Sequence, residues 1–445
     1  TSADTLTGNT RDNILEGGLG NDSLSGGTGT DTYVFARTGS EDLGDDTLTE
    51  GTGGSNDEGD TLDFSRYNAP VTVDLNSTTP TNAFPLVNVI KVTLTSAIAF
   101  EGITGSPFND TLIGNSRNSV LDGGAGDDTL IGGEGDDSLT GGTGTDTYVF
   151  ARDGSEDLGD DTLTEGTGGS NDEGDTLSFA GFGAAVAVDI SSLTAIDSAG
   201  EVKVTLNDTA AFEGIVGTTL ADTLTGNARD NILEGGQGND SLIGGAGDDT
   251  YVFTRQQTSD DLGDDVISEG SSSNDTGDTL DFSGFLEAVT VNLATTTSQD
   301  VGGSSGMKLD LDLNDANSID DSIVVENVVG GVGNDSITGN TRDNILEGGR
   351  GNDSLSGGTG DDTYRFSRPT VEDLGDDVLT EGTGGSNDDG DALDFAQFGA
   401  AVTVDIGSTT AIDVNGDVKI TLNDASAWEN VIGSTFDDVL IGNER

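Results

Sequence analysis

GGAGDDTLIGGEGDDSLTGGTGTDTYV, residues 123–149, is three nonapeptides laid end to end. Each obeys G-G-x-G-x-D-x-U-x, where U is a large apolar residue. Glycine at the first, second and fourth positions lets the backbone enter turn conformations closed to other residues, and brings carbonyl oxygens close together. The sixth position supplies a carboxylate. The last three residues form a short strand whose middle side chain points inward, as alternation in a strand requires.

Working outward, the pattern is complete in ten places. In the first stretch the turns are Gly17, Gly18, Gly20 with Asp22, and Gly26, Gly27, Gly29 with Asp31. The second holds Gly123, Gly124, Gly126 with Asp128; Gly132, Gly133, Gly135 with Asp137; and Gly141, Gly142, Gly144 with Asp146. The third holds Gly235, Gly236, Gly238 with Asp240, and Gly244, Gly245, Gly247 with Asp249. The fourth holds Gly330, Gly331, Gly333 with Asp335; Gly348, Gly349, Gly351 with Asp353; and Gly357, Gly358, Gly360 with Asp362. Leu24, Tyr33, Leu130, Leu139, Tyr148, Leu242, Tyr251, Ile337, Leu355 and Tyr364 all fall at the inward position, a phase that chance does not produce.

The segment D-T-L-T-G-N at residues 4–9 marks a longer period. It returns, with small changes, at 110–115, 222–227, 335–340 and 438–443. Measured on Gly8, Gly114, Gly226, Gly339 and Gly442 the spacings are 106, 112, 113 and 103. Self-similarity at a fixed period is the signature of stacked repeats. The chain divides into repeat units 1–108, 109–220, 221–333 and 334–436, with the start of a fifth at 437–445. Because both ends cut through a unit and solenoids carry polar caps, an excerpt from a longer array is expected.

Each unit runs from nonapeptides to an acidic stretch such as SEDLGDDTLTE (40–50), then a Gly/Ser-rich loop and SNDEGDTLDF (55–64). Period-two segments follow, VTVDL (71–75) and IKVTL (90–94) in the first unit, VTVDI (402–406) and VKITL (418–422) in the fourth. Such alternation marks half-buried strands. The fourth-unit pair is separated by a segment containing Asn415-Gly416, a tight-turn signal. A piece carrying Phe100, Phe212 or Trp428 leads into the next unit. Glycine recurs too often, and no apolar set holds a 3.6-residue period, so the chain reads as all-β.

Composition limits the partners. The chain has 445 residues, 83 acidic and 16 basic, for a net charge of -67. Nucleic acid and anionic membrane surfaces are polyanions and are excluded as natural partners. Only 32% of residues are apolar and 70 are glycine, too little core to offset ordering entropy unaided. With no cysteine and no histidine, disulfides and the usual transition-metal ligands are ruled out. Carboxylate and carbonyl oxygens remain, and these suit Ca2+. No run of eighteen apolar residues and no charged-then-apolar leader is present, so membrane insertion is not expected.

The nonapeptides resemble those of the RTX (repeats-in-toxin, haemolysin-type calcium-binding) family. The resemblance implies a parallel β-roll: two nonapeptides per coil, turns alternating between two sides, and a calcium ion between turns eighteen residues apart. Carried onto this chain, turn 123–128 faces 141–146, turn 330–335 faces 348–353, and turn 26–31 faces 8–13. In that last partner, and at 114–119, 226–231 and 339–344, the pattern fails, because Arg11, Arg117, Arg229 and Arg342 replace the third glycine. Two readings stay open: the arginine stands in for the ion by donating to the facing turn's oxygens, or it is simply solvated. The acidic stretches follow a weakened rule. Gly44-Asp45-Asp46-Thr47-Leu48 matches positions four to eight, as do the segments around Asp161, Asp265 and Asp377, and more loosely those around Asp60, Asp175, Asp278 and Asp391. They are either further metal-binding rungs or solvated acidic loops.

Three other patterns lead nowhere. Gly302-Gly303-Ser304-Ser305-Gly306 fits a nucleophile elbow, but the chain has no histidine base. Asp310, Asp312 and Asn314, like Asp413, Asn415 and Asp417, have the opening spacing of an EF-hand without its later glycine and glutamate. Tyr33, Tyr148, Tyr251 and Tyr364 share one motif position and read as core. The sequence therefore predicts a non-enzymatic, calcium-folded solenoid, extracellular or at the bacterial cell surface, exported unfolded as RTX proteins are by type I secretion. Extracellular calcium modules bind at about 10⁻⁴ to 10⁻³ M, so folding would wait for export. A rigid spacer of an adhesin, surface layer or filament is the leading reading, with further copies of itself as possible neighbours; the alternative is the accessory region of a secreted enzyme whose catalytic domain lies elsewhere.

Overall fold

A computed structural model describes residues 2–39, 43–50, 59–77, 81–82, 91–96, 99–152, 157–165, 174–198, 202–254, 262–268, 277–295, 298–302, 307–311, 325–367, 374–381, 390–409, 412–414, 418–424 and 427–443. Among these residues every regular element is a strand, most of them three residues long. The chain forms two compact units, Thr1–Thr218 and Thr219–Arg445.

In the first unit the deciding stretch becomes stacked coils. Thr111–Ile113, Thr129–Ile131 and Thr147–Val149 pair in parallel, each eighteen residues after the last, with Leu112 over Leu130 over Tyr148. On the opposite side Val120–Ala125 pairs with Ser138–Thr143, placing Leu121 over Leu139. Nine residues thus carry the chain from one sheet to the other, and eighteen complete a coil. The inward side chains of these strands are buried: Leu112, Leu121, Leu130 and Tyr148 are fully covered and Leu139 nearly so. The core is a single column of side chains per sheet, so its apolar contribution is small for a chain of this length.

The period-two segments belong to the same coils. Thr72–Asp74 pairs in parallel with Thr111–Ile113, and Lys91–Leu94 pairs in parallel with the acidic strand Asp45–Thr49. Coils therefore lengthen without leaving the stack. Leu163 follows Leu139 in its ladder by 24 residues and Leu206 follows Leu163 by 43. Among the described residues antiparallel pairing is confined to excursions from the longer coils, such as Thr194–Ser198 against Val202–Leu206.

The second unit repeats this plan. Ser336–Thr338, Ser354–Ser356 and Gly375–Thr380 form one parallel ladder, and Ile345–Glu347, Thr363–Arg365 and Ala392–Asp394 form another. The hairpin partner of Val418–Leu422 is Ile412–Val414, while Thr403–Asp405 pairs in parallel with Val439–Ile441 as a rung of the roll. Asn415 and Gly416 lie outside the described residues.

Aromatic groups brace the longest coils. Phe35 stacks on Phe64 at 4.6 Å and Phe64 meets Tyr67 edge-on; Phe150, Phe179 and Phe182 do the same, as do Phe366, Phe395 and Phe398. Offset and edge-to-face pairs add about 0.5–1.5 kcal/mol each beyond their burial.

Candidate calcium sites

The parallel register stacks the turns as well as the strands, so the sixth-position aspartates form columns. In each column Oδ1 of one aspartate accepts the backbone N–H of the residue one coil earlier. Asp146 accepts from Asp128 and Asp128 from Asp110, both at 2.7 Å. Asp353 accepts from Asp335 at 2.7 Å, Asp240 from Asp222 at 2.8 Å, and Asp31 from Asn13 at 2.6 Å. The facing turns 123–128 and 141–146, 330–335 and 348–353, and 8–13 and 26–31 are brought together.

The acidic stretches continue these columns. Asp46 accepts from Asp22 at 2.8 Å, Asp161 from Asp137 at 2.8 Å, Asp265 from Asp240 at 2.9 Å, and Asp377 from Asp353 at 2.9 Å. On the other side Asp60, Asp175, Asp278 and Asp391 accept from Asp31, Asp146, Asp249 and Asp362. All eight are buried. They are rungs of the roll, and the reading as solvated loops does not fit their placement.

With Oδ1 used, Oδ2 points into the turn. For Asp22, Asp128, Asp137, Asp240 and Asp353 this oxygen is buried and accepts no hydrogen bond among the described residues. A buried acceptor left without a donor carries its full desolvation cost. Position one must be glycine here: a Cβ on Gly123 would come within 2.3 Å of Asp128 Oδ2 and 2.6 Å of the Gly141 carbonyl oxygen. Gly124 and Gly126 lie at φ 101° and 115°, in the region that favours glycine. Carboxylate oxygens and backbone carbonyls converge there, and such hard donors fit Ca2+.

The electrostatics point the same way. Burial pushes the Asp128 carboxyl up to about 8, with Asp110 and Asp146 adding to it. Burial likewise raises Asp137, Asp265 and Asp377 to about 8 and Asp161, Asp240 and Asp353 to about 7. Each ionises at an ordinary pH only at a cost that a cation would remove.

One of the ten turns departs from the rest. In 330–335 the Gly331 N–H donates to Asp335 Oδ2 at 2.7 Å, and neither Gly331 nor Gly333 takes a positive φ. The oxygen left open at Asp22, Asp128, Asp137, Asp240 and Asp353 is used internally here.

Residues outside the nonapeptide pattern also enter. Asp31, Glu50 and Asp60 bring carboxylate oxygens within 4.8 Å of one another, as do Asp146, Glu165 and Asp175, and Asp362, Glu381 and Asp391. All nine residues are buried. Tyr33 and Tyr148 donate their hydroxyls to Glu50 and Glu165. Burial pushes Glu165 up to about 8. The signal for these glutamates lies in register: Thr49 pairs with Ser25, so Glu50 stands where the next turn has Gly26. The same T-E-G triplet closes the acidic stretch at 164–166 and 380–382, and Ser268-Glu269-Gly270 is its third-unit counterpart. Glu269 lies outside the described residues.

Residues 1–33, 104–139, 123–152 and 216–251 match the RTX calcium-binding nonapeptide repeat (4 copies). The chain carries RTX repeats. Several Ca2+ ions are their ligands, and the chain is an RTX region of a secreted protein, folded as an all-β roll of parallel coils. Residues 271–380 match the Peptidase M10 serralysin C terminal family. Metallopeptidase AprA of Pseudomonas marginalis is 40% identical over 70 residues, 16% of this chain and 13% of that protein. Metalloprotease AprA of Pseudomonas entomophila (strain L48) is similar to the same extent. The RTX chain thus spans only about an eighth of the length of these relatives.

Proposed function

We propose that this chain is a calcium-folded, non-enzymatic structural segment, a stiff spacer within a secreted or cell-surface bacterial protein. The observation that supports it most is repetition of whole coils: the aspartate columns recur in every repeat unit, with the same long-coil excursions between them. Calcium would be held in the turns by Asp22, Asp31, Asp128, Asp137, Asp146, Asp240, Asp249, Asp353 and Asp362, with Asp46, Asp161, Asp265 and Asp377 as the next rungs, and with carbonyls of the glycine-rich turns. Glu50, Glu165 and Glu381 add donors where they meet these columns. Neutralising the columns would let a chain of charge -67 close up, and the binding free energy would become folding free energy.

A second reading is favoured by the serralysin C-terminal match at 271–380: an accessory region of a secreted enzyme whose catalytic part lies outside this chain. One experiment separates the two. Deleting 109–220 from the parent protein shortens a spacer by whole coils, leaving secretion and any linked activity intact while reducing reach. Loss of a secreted hydrolytic activity on the same deletion would favour the accessory reading.

A further inference from the structure

The arginine-bearing turns obey a rule that the calcium turns do not. Glu101 precedes Arg117 by sixteen residues, Glu213 precedes Arg229 by sixteen, Glu326 precedes Arg342 by sixteen, and Glu429 precedes Arg445 by sixteen. The lengths of the units vary, but this interval does not. It spans the junction at which one unit hands over to the next.

In the fold the interval becomes contact. The Arg117 guanidinium pairs with the Glu101 carboxylate, and Arg342 pairs with Glu326. Glu101 and Glu326 are buried, and the arginines are about one-third exposed. Gly102 pairs with Val120, so Glu101 lies opposite Ser119: it holds the sixth-position place of the facing turn. It also extends the aspartate column, since its Oε2 accepts the N–H groups of Gly59 and Asp60 at 3.1 and 3.3 Å. A carboxylate at that rung is where a calcium turn would need its ion.

The arginine turn is closed without one. Asn115 donates its side-chain amide to the Phe100 carbonyl at 2.7 Å, and Asn340 does the same to Val325 at 2.9 Å. The sixth position is neutral and faces inward: Asn344 Oδ1 accepts the Asn340 N–H at 2.7 Å, and its amide reaches the Glu326 carbonyl at 2.7 Å. Asn443 repeats the first bond, to the Trp428 carbonyl at 2.6 Å.

We propose that the Glu–Arg pair is a built-in cation clasp: at each junction Arg117 or Arg342 takes over calcium's charge-neutralising task, and these turns bind no metal. The inference rests on the calcium reading of the other turns. It makes the pairing at these two junctions independent of calcium concentration.

Calcium counting on the full chain tests it, by equilibrium dialysis at saturating millimolar Ca2+. The variant Asn115→Gly, Arg117→Gly, Ser119→Asp rewrites the turn as G-G-S-G-N-D and should bind one ion more than the parent. Arg117→Gln, made separately, should leave the count unchanged while lowering Tm at saturating calcium by about 2 °C or more. Arg66→Gln, which breaks an exposed pair with Glu16, should leave Tm in place. A lower ion count in Arg117→Gln would overturn the proposal, as would a triple variant that folds and gains no ion, or an Arg117→Gln Tm equal to that of Arg66→Gln. If the parent takes up no calcium at all, the calcium reading fails instead, and the Tm of Arg117→Gln alone decides the clasp.

Discussion

Turns 330–335 and 348–353 differ in sequence only at the third position, valine against arginine, and they sit on consecutive coils of one ladder. Their geometry nevertheless differs. Asp353 Oδ2 is buried without a hydrogen-bond donor among the described residues, and Gly349 and Gly351 lie at φ 87° and 132°. Asp335 Oδ2 is taken by the Gly331 N–H. The cause lies one coil earlier. Turn 348–353 faces another nonapeptide, whereas 330–335 faces the irregular segment 285–289, where the Val332 N–H donates to the Phe285 carbonyl and Val289 offers no carboxylate. Asp110, which faces Val71, is closed in the same manner by Ser106. Both closed turns face, one coil earlier, a residue that offers no carboxylate, Val289 or Val71.

The harshest way to probe that contrast is to remove the ions altogether. Each site held at a hundred times its Kd contributes about 2.7 kcal/mol, and several act together. Excess chelator at pH 7.5 should therefore abolish most of the β-sheet circular dichroism; a spectrum unchanged by chelator would mean that the open turns need no cation. Next in size is a core deletion. Leu130→Ala, between Leu112 and Tyr148, should cost about 2–5 kcal/mol in the calcium-loaded state, measured by denaturant unfolding. A cost below 1 kcal/mol would show that the thin core contributes little.

Protons should partly substitute for calcium. Burial raises Asp128, Asp137, Asp265 and Asp377 to about 8 in the fold, while the unfolded chain releases the same protons near pH 4. Between about pH 4 and 8 the calcium-free fold holds protons that the unfolded chain has lost, so its stability falls as pH rises. Chelated protein should gain β signal at pH 4–5 and lose it by pH 8. The opposite slope would remove the buried carboxylates from the account. The smallest effect sharpens the contrast itself: Asp353→Asn should weaken calcium binding about tenfold or more at its site, and Asp335→Asn by less. Equal losses by calorimetry would erase the distinction between open and closed turns.

Much of this was legible in the sequence, because spacing carries it. The nonapeptide period could be counted directly, and the resemblance to RTX repeats then implied the eighteen-residue coil and the facing of 123–128 with 141–146. The role of Asp46, Asp161, Asp265 and Asp377 as rungs was visible in their G-D-D-T-L context but not decidable there, since an acidic loop has the same composition. Glu50, Glu165 and Glu381 were missed: they belong to no motif, and only the pairing of Thr49 with Ser25 puts Glu50 against Gly26. The partner of Val418–Leu422 was left unassigned for a similar reason. Alternation reveals that a segment has a buried face, but it does not tell which strand lies beside it.

The aspartate columns have one more property, direction. Among the described residues each sixth-position Oδ1 reaches back to the amide of the preceding coil, as from Asp128 to Asp110 and from Asp146 to Asp128. Each coil is thus finished by the one that follows it. The stack therefore has two unlike faces, one presenting amide donors to the coil that follows and the other presenting carboxylate acceptors to the coil before.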